Sequence, residues 1–173
     1  MRTRVLIRAR RPEDLDGCVA MLGDTHRADG YPTRWPADPA RWLRPPGPVL
    51  GSWVAVDSGA VGSLLGHVTL VAADEEIAGR AWLRHAGPAA ARPAGISRLF
   101  VSPVARSRGV GTLLLDAACA QAGRHGLLPV LDVLDRDRAA VLFYLRYGFR
   151  QIDAVPMELN GVQETARCLA LRT

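Results

Sequence analysis

The stretch LFVSPVARSRGVGT, residues 99–112, decides the fold of this chain. Three β-favouring residues run into a proline, a basic turn with two glycines follows, and apolar residues then recur at helical spacing. Gly109 and Gly111 allow ligand atoms to approach the backbone closely, and the free N–H groups of a first helical turn attract an anion. Arg106 and Arg108 add mobile positive charge beside those amides. The stretch therefore predicts a strand, a turn and a helix that bind a phosphate or pyrophosphate.

Outward from this stretch, apolar periodicity and turn residues predict alternating strands and helices. The strand–helix–strand unit around the glycine turn requires parallel pairing, whereas two hairpins are antiparallel. We expect one α/β domain with α+β character over residues 1–173, built on a mixed sheet with helices on both faces. The predicted strands are Val5–Ala9, Leu50–Asp57, Ala60–Val71, Gly95–Val101, Leu128–Leu134, Gln151–Leu159 and Gln163–Leu171. The predicted helices run from Pro12 to an end at Gly23, over Asp74–Arg84, from Val110 to about His125 and over Asp137–Tyr147.

The composition is that of a soluble globular protein, with 49% hydrophobic and 23% charged residues among 173. The net charge is +5, and arginine supplies all 22 basic side chains. These arginines are scattered and aromatic residues are sparse, so the pattern does not predict a nucleic-acid-binding surface. No apolar run is long enough for a secretory leader or a bilayer span. We therefore expect a cytoplasmic protein with no nucleic-acid or membrane partner.

The three cysteines predict neither a disulfide framework nor a metal site. Cys18, Cys119 and Cys168 are far apart, show no CxxC spacing and have apolar neighbours. Such cysteines are typical of buried, reduced thiols. We expect no bound metal.

A second block, LDVLDRDRAAVLFYLRYGF at residues 131–149, makes the glycine turn specific. A short glycine motif alone matches many proteins by chance. Together, the Arg106-x-x-Gly109-x-Gly111 turn and this block resemble the GNAT superfamily of N-acetyltransferases. That family combines an acyl-CoA-binding turn with a later signature of a strand, Asn, Ala, Tyr and Gly-Phe. The resemblance covers Gly95 to Arg150 closely and the N-terminal half by element order.

The resemblance implies the acyl-CoA N-acyltransferase fold, with acetyl-CoA as the acyl donor. In that fold a mostly antiparallel sheet contains a parallel strand pair that splays into a V, here the strands of Leu99 and Asp132. The pantetheine arm adds to the first of these strands, and the pyrophosphate lies on the amides of the turn. Asp137 stands where the family usually has asparagine; an aspartate can cap the helix (~1 kcal/mol) but cannot donate an amide N–H. The residues so assigned to the cofactor are Leu99, Phe100, Val101, Arg106, Ser107, Arg108, Gly109, Val110, Gly111, Thr112 and Asp137.

The implied reaction is direct attack of an amine on the thioester in a ternary complex, without an acyl-enzyme. Tyr144 matches the family tyrosine that protonates the departing thiolate; the alternative is a tyrosine packed on the apolar helix face. Asp132, the one charge in an apolar strand, is the candidate base, because desolvation would raise its pKa. It is nearly as well explained as a partner of a backbone group or an arginine. Many members have a glutamate where this chain has Gly95 or Ser97, so Glu75, Glu76 and His67 are held in reserve.

The resemblance implies an acceptor that is a primary amine of a small molecule or peptide, and the sequence does not identify it. Candidate walls are the loop Asp24–Pro48 and the insertion Asp74–Pro93, with Tyr31, Trp35, Glu75 and Glu76 as candidate contacts for a cationic amine. The alternative is that Trp35 and Trp42 only fix the loop to the core. A CoA-binding sensor without turnover is the second hypothesis for the whole chain. Many family members dimerise, and nothing in the sequence decides whether this one forms a homodimer.

Overall fold

The computed structural model describes residues 4–59 and 62–172. Within these ranges the strands are β1 (Val5–Ala9), β2 (Val49–Asp57), β3 (Leu64–Ala72), β4 (Pro93–Val101), β5 (Leu128–Leu134), β6 (Phe149–Leu159) and β7 (Val162–Leu171). They form one sheet in the order β1-β2-β3-β4-β5-β7-β6. β4 and β5 pair in parallel, whereas the pairs β1–β2, β5–β7 and β6–β7 are antiparallel. The predicted mixed sheet with one parallel pair is confirmed.

The helices that accompany the sheet are α1 (Leu15–Asp29), α2 (Pro39–Trp42), α3 (Ile77–Ala86), α4 (Val110–Arg124) and α5 (Arg138–Tyr147). Short 3-10 turns lie at Pro12–Asp14 and Pro103–Ala105. The strand predicted at Ala60–Val71 begins at Leu64; residues 60 and 61 lie outside the described ranges. None of the helices in the part of the chain described here is long and apolar enough to cross a membrane.

The first helix was predicted to end at Gly23, and this prediction is wrong. α1 continues to Asp29, and Gly23 is buried within it, where an added Cβ would lie 3.7 Å from the Trp35 ring. A glycine inside a helix costs only about 1 kcal/mol, which the burial of other α1 residues, among them Met21 and Leu22, outweighs. The helix ends instead at Gly30, which has a φ of 73° and donates its N–H to the His26 carbonyl at 2.8 Å. This is the left-handed conformation that commonly terminates helices.

Residue contacts divide the chain into two compact units. The first unit comprises residues 1–70 and 97–121, and the second comprises residues 71–96 and 122–173. A core cluster of the first unit is formed by Cys18, Met21, Leu22, Leu43, Val54 and Phe100. A core cluster of the second is formed by Ala73, Ala78, Ala81, Leu128, Val130, Cys168 and Ala170. That both units belong to one domain remains a prediction.

The cysteines take the positions that their apolar neighbours indicate. Cys18 and Cys168 are buried, and Cys119 is partly buried. Burial raises the pKa of the Cys18 and Cys168 thiols to about 11. Both side chains are therefore protonated at neutral pH and serve as small apolar groups in the two cores.

In the second unit, α3 packs directly on the backbone at the end of β3. Its small residues Ala78, Gly79 and Ala81 are buried. A Cβ atom added at Gly79 would lie 1.6 Å from the Ala73 carbonyl oxygen, which already accepts a hydrogen bond from the Glu76 N–H at 3.1 Å. This close approach requires glycine at position 79.

We predict that Gly79→Ala lowers the free energy of unfolding by about 1–3 kcal/mol or more, since the helix has to move away from Ala73. Gly123→Ala in α4 is the matched control, because a Cβ there meets nothing within 4 Å. That control should gain up to about 1 kcal/mol from helix propensity. Urea denaturation of both variants measures the difference, and equal stabilities would show that the Gly79 contact is not limiting.

Candidate functional site

The turn between β4 and α4 presents backbone N–H groups at the start of a helix. Ser107 and Gly109 have φ angles of 61° and 74°, in the left-handed region. The first helical hydrogen bond runs from the Leu113 N–H to the Gly109 carbonyl at 3.1 Å, so the N–H groups before Leu113 have no helical acceptor. Residues 106–109 are exposed. Turns that combine left-handed residues with N–H groups lacking a helical acceptor form concave anion sites. That this stretch binds a pyrophosphate remains a prediction.

The two arginines of the turn are less mobile than their sequence context predicts. Arg106 makes a two-pronged ion pair with Asp29 at the end of α1, with one bond of 2.8 Å from Nη1 to Oδ1 and a shorter one from Nη2 to Oδ2. The Arg108 guanidinium lies 3.7 Å from the carboxylate of Asp57, at the end of β2. These ion pairs fix the turn to two other elements of the same unit. The backbone amides are therefore the groups that remain for an anion.

β4 leads into this turn, and its backbone is irregular at one residue. Arg98 has a φ of 50°, which an arginine adopts only at a cost of about 1–2 kcal/mol. Phe100 is buried, whereas Leu99 and Val101 are partly buried. The Phe100 ring stacks on the imidazole of His67 with 5.3 Å between centroids.

His67 on β3 forms a hydrogen bond to the backbone of Arg98. Its side chain is fully buried, with Nδ1 at 2.9 Å from the Arg98 carbonyl oxygen and Nε2 at 3.0 Å from Nη1 of Arg10. Because a carbonyl only accepts, Nδ1 carries the proton and Nε2 accepts from Arg10. Burial lowers the pKa of His67 to about 4, so the ring is neutral at physiological pH. Both nitrogens are engaged, so this side chain does not fit the reserve role of general base.

In the second unit, Asp132 does not have the environment that the sequence predicts. Its neighbours Leu131 and Val133 are buried, but Asp132 itself is exposed, on the face of β5 opposite to theirs. It stands across from Cys168 of β7 in the antiparallel register. The carboxylate is therefore more exposed than the apolar run of β5 predicts.

Asp137 occupies the residue before α5, as predicted, but its side chain makes no capping hydrogen bond. Its carbonyl accepts the first helical hydrogen bond, from the Val141 N–H at 3.0 Å. Desolvation raises the pKa of the Asp137 carboxyl, against the opposing effect of Arg136. The predicted side-chain cap is wrong, and the predicted contact with the cofactor stays a prediction.

Tyr144 lies on α5 in an aromatic cluster. Its ring makes edge contacts with Phe143 at 5.2 Å and with the buried Phe149 at 5.8 Å between centroids. Tyr147 packs on the same Phe149 at 5.9 Å. Both tyrosines are only partly buried. Packing thus fixes where the Tyr144 ring lies without enclosing it.

Of the predicted acceptor contacts, only Tyr31 is joined to the β4 strand. Its ring lies 6.3 Å from that of Phe100 and 6.1 Å from that of Trp42. Trp35 is 40% exposed and packs against His26 of α1. Glu75 and Glu76 belong to the second unit; Glu75 pairs with Arg80, and both of those side chains are exposed. Metal ligands are also lacking in residues 4–59 and 62–172, where no group of three His, Cys, Asp or Glu could hold an ion.

Sequence reasoning missed the pair Arg10 and Arg98, which flank His67. The available signal was a charged residue inside the apolar strand ISRLFV, residues 96–101, and another directly after β1. Such positions have a reason to carry charge only if a partner lies across the sheet.

Comparisons with known proteins give one consistent result. Residues 52–151, more than half of the chain, match the model of the acetyltransferase (GNAT) domain. A structure of Arabidopsis thaliana NAA60 in complex with acetyl-CoA is 20% identical, covers 96% of this chain and 97% of that chain, and has a TM-score of 0.75. The ribosomal-protein-S18-alanine N-acetyltransferase from Escherichia coli is 16% identical, with coverages of 97% and 93% and a TM-score of 0.68. No curated protein sequence matches the chain significantly.

The neutral, buried His67 predicts a specific acid sensitivity. The unfolded chain binds a proton near the ordinary pKa of 6.5, whereas the folded protein does so only near pH 4. The free energy of unfolding therefore falls by about 3 kcal/mol as the pH decreases through this window, and His67 has no such effect above pH 6.5. Chemical denaturation of wild type and His67→Gln at pH 7, 6, 5 and 4 measures it. The variant should lose stability less steeply, and parallel profiles would contradict the assignment.

Proposed function

The chain belongs to the GNAT family of acetyltransferases, and from this premise we propose that it transfers an acetyl group from acetyl-CoA to a primary amine of a small molecule or peptide. The acyl donor is acetyl-CoA. The observation that carries the proposal is the exposed turn of residues 106–109, with two left-handed residues ahead of the first helical hydrogen bond of α4. A pyrophosphate is the anion that such a turn suits.

The residues present fit this donor. Gly109 combines a φ of 74° with open space around its Cα, so backbone and ligand can approach each other there. The amides of Ser107 to Thr112 would hold the pyrophosphate, and the backbone of Leu99 to Val101 would pair with the amides of the pantetheine arm. Asp137 would contribute to the donor site only as a hydrogen-bond acceptor or, when protonated, as a donor.

The thioester supplies an activated acyl carbon. Residues of this chain would take part in two proton transfers, one from the acceptor amine and one to the departing thiolate. The acceptor nitrogen has to lose a proton before or during attack, and we assign that proton to the Asp132 carboxylate, directly or through water. The new C–N bond forms, the C–S bond breaks, and the thiolate takes a proton from the Tyr144 hydroxyl. Positioning of both substrates side by side supplies much of the rate enhancement.

We predict that the protein releases CoA when acetyl-CoA and an accepted primary amine are both present. We also predict that Tyr144→Phe lowers kcat about 10²-fold or more with little change in KM, since the general acid is lost. Tyr147→Phe is the matched control, because it removes a hydroxyl from the same aromatic cluster around Phe149. A thiol-detection assay follows both.

An unchanged kcat in Tyr144→Phe would reject this tyrosine as the acid. Acetyl-CoA binding without release of CoA for any amine would instead favour the second hypothesis, a CoA-binding sensor.

Donor binding is tested at Gly109. We predict that Gly109→Val abolishes the increase in Tm that acetyl-CoA causes, because a side chain strains the left-handed backbone and obstructs the amides. Gly126→Val is the control, since Gly126 also has a positive φ, 65°, and open surroundings but lies between α4 and β5. If both variants keep the Tm increase, the turn does not hold the donor.

A further inference from the structure

The place where the acceptor amine would bind follows from the place assigned to acetyl-CoA, and this inference rests on the proposed function. The pyrophosphate is assigned to the turn that follows β4, and the pantetheine arm runs back along Val101 to Leu99. The thioester then comes next to Arg98, the residue that precedes Leu99. The groups around Arg98 are therefore those that meet the acceptor amine.

Two guanidinium groups converge at this point. Nε of Arg98 donates to the Trp42 carbonyl at 3.0 Å, and Nη1 of Arg10 donates to the Leu43 carbonyl at 2.8 Å. These carbonyls belong to consecutive residues, so both guanidinium groups bind the backbone at the end of α2. The Arg98 guanidinium also lies over the Trp42 ring, at 4.8 Å from its centroid, and donates to Oγ of Ser97 at 2.6 Å.

Hydrogen bonds to neutral groups fix the Arg10 guanidinium, and none of these partners neutralises its charge. Nη1 uses its two protons on the Leu43 carbonyl and on Nε2 of the neutral His67. Within residues 4–59 and 62–172 no carboxylate forms an ion pair with Arg10, and its remaining N–H groups reach solvent. Desolvation, with a contribution from Arg44, lowers the pKa of Arg10. A half-buried cation without a counter-ion is costly unless a ligand supplies the anion.

Three acidic residues of the same unit have other partners. Asp14 pairs with Arg8, Asp29 with Arg106, and Asp38 accepts from the Arg41 N–H at the start of α2. In the part of the chain that the structure describes, these three carboxylates are engaged, and the site presents the positive charge of Arg10 and Arg98. The aromatic rings of Tyr31 and Trp42 form an apolar wall beside it.

Capping of α2 accounts for only part of this arrangement. Arg44 also donates to a carbonyl of α2, that of Ala40 at 3.3 Å, and does so while exposed. Capping therefore needs neither the burial of Arg10 nor its bond to His67. The neutral imidazole orients the guanidinium and leaves its charge and one edge for a second partner.

We propose that Arg10 and Arg98 bind an anionic group of the acceptor, and that the acceptor is an aminocarboxylate rather than a polyamine. The planar, fixed guanidinium edge matches a carboxylate in two-pronged geometry. The apolar wall favours a hydrophobic side chain on that acceptor. The carboxylate and the amine have to be close together, since Arg98 adjoins the strand on which the thioester would lie.

The test uses matched acceptors: L-phenylalanine, L-phenylalaninamide, 2-phenylethylamine and spermidine. Steady-state CoA release gives kcat/KM for each with wild type, Arg10→Met and Arg10→Lys. We expect Arg10→Met to lower the acid-to-amide ratio of kcat/KM about 10- to 100-fold, mainly through KM of the acid. Arg10→Lys should retain part of the wild-type preference for the acid over the amide. Comparing ratios between variants cancels the different amine pKa values of the acceptors.

Arg44→Met is the control for helix capping, and it should change the acid-to-amide ratio less than about threefold. Loss of activity toward acid and amide alike in Arg10→Met would assign Arg10 to structure and overturn the proposal. A second result would also overturn the proposal. In that result, spermidine or the amide is the best acceptor of the wild type, and the acid-to-amide ratio of kcat/KM does not change in Arg10→Met.

A binding measurement separates this proposal from the proposed function. Isothermal titration of the same acceptors into the protein saturated with CoA needs no turnover. Arg10-dependent binding of the acid but not the amide, without CoA release, would support the anion site and contradict acetyl transfer to these amines. CoA release without Arg10-dependent binding of the acid would keep the enzyme and overturn the anion site, and failure of L-phenylalanine to bind would overturn it as well.

Discussion

Parallel pairing of β4 with β5 is the constraint on which the site depends. Parallel neighbours need a crossover connection, and α4 provides it. This helix has to begin soon after β4 ends, so N–H groups without helical acceptors lie where the strand stops. Ser107 and Gly109, both left-handed, allow the chain to reverse within a few residues. The anion-binding property of the turn therefore follows from the connection itself, before any side chain contributes.

Features that depend on nearby residues could be predicted from the sequence. The strand, turn and helix of residues 99–112 are encoded by adjacent residues, and so is the closing hairpin around Asn160 and Gly161. The helix boundary at Gly23 could not be predicted, because the burial that keeps this glycine in α1 comes from packing with distant segments. Local preference decides an element's type, and packing decides where it ends.

Side-chain environments at the site were the least predictable. Asp132 looks buried from its apolar neighbours, yet it is exposed although Leu128 and Val130, on the same face of β5, are buried. Arg106 looks mobile, yet Asp29, far away in sequence, pairs with it. His67 looks like a candidate base, and only the Arg98 carbonyl and the Arg10 guanidinium fix it as a neutral connector. In each case the deciding partner lies on another element, where no local pattern reports it.

The arginines around His67 bear on the chemistry as well as on binding. A positive charge close to an amine disfavours its ammonium form and lowers its pKa, because the protonated state meets a like charge. Arg10 and Arg98 would therefore increase the fraction of acceptor present as free amine, while the acceptor's carboxylate offsets the cost of bringing it there. The demand on a separate general base becomes smaller.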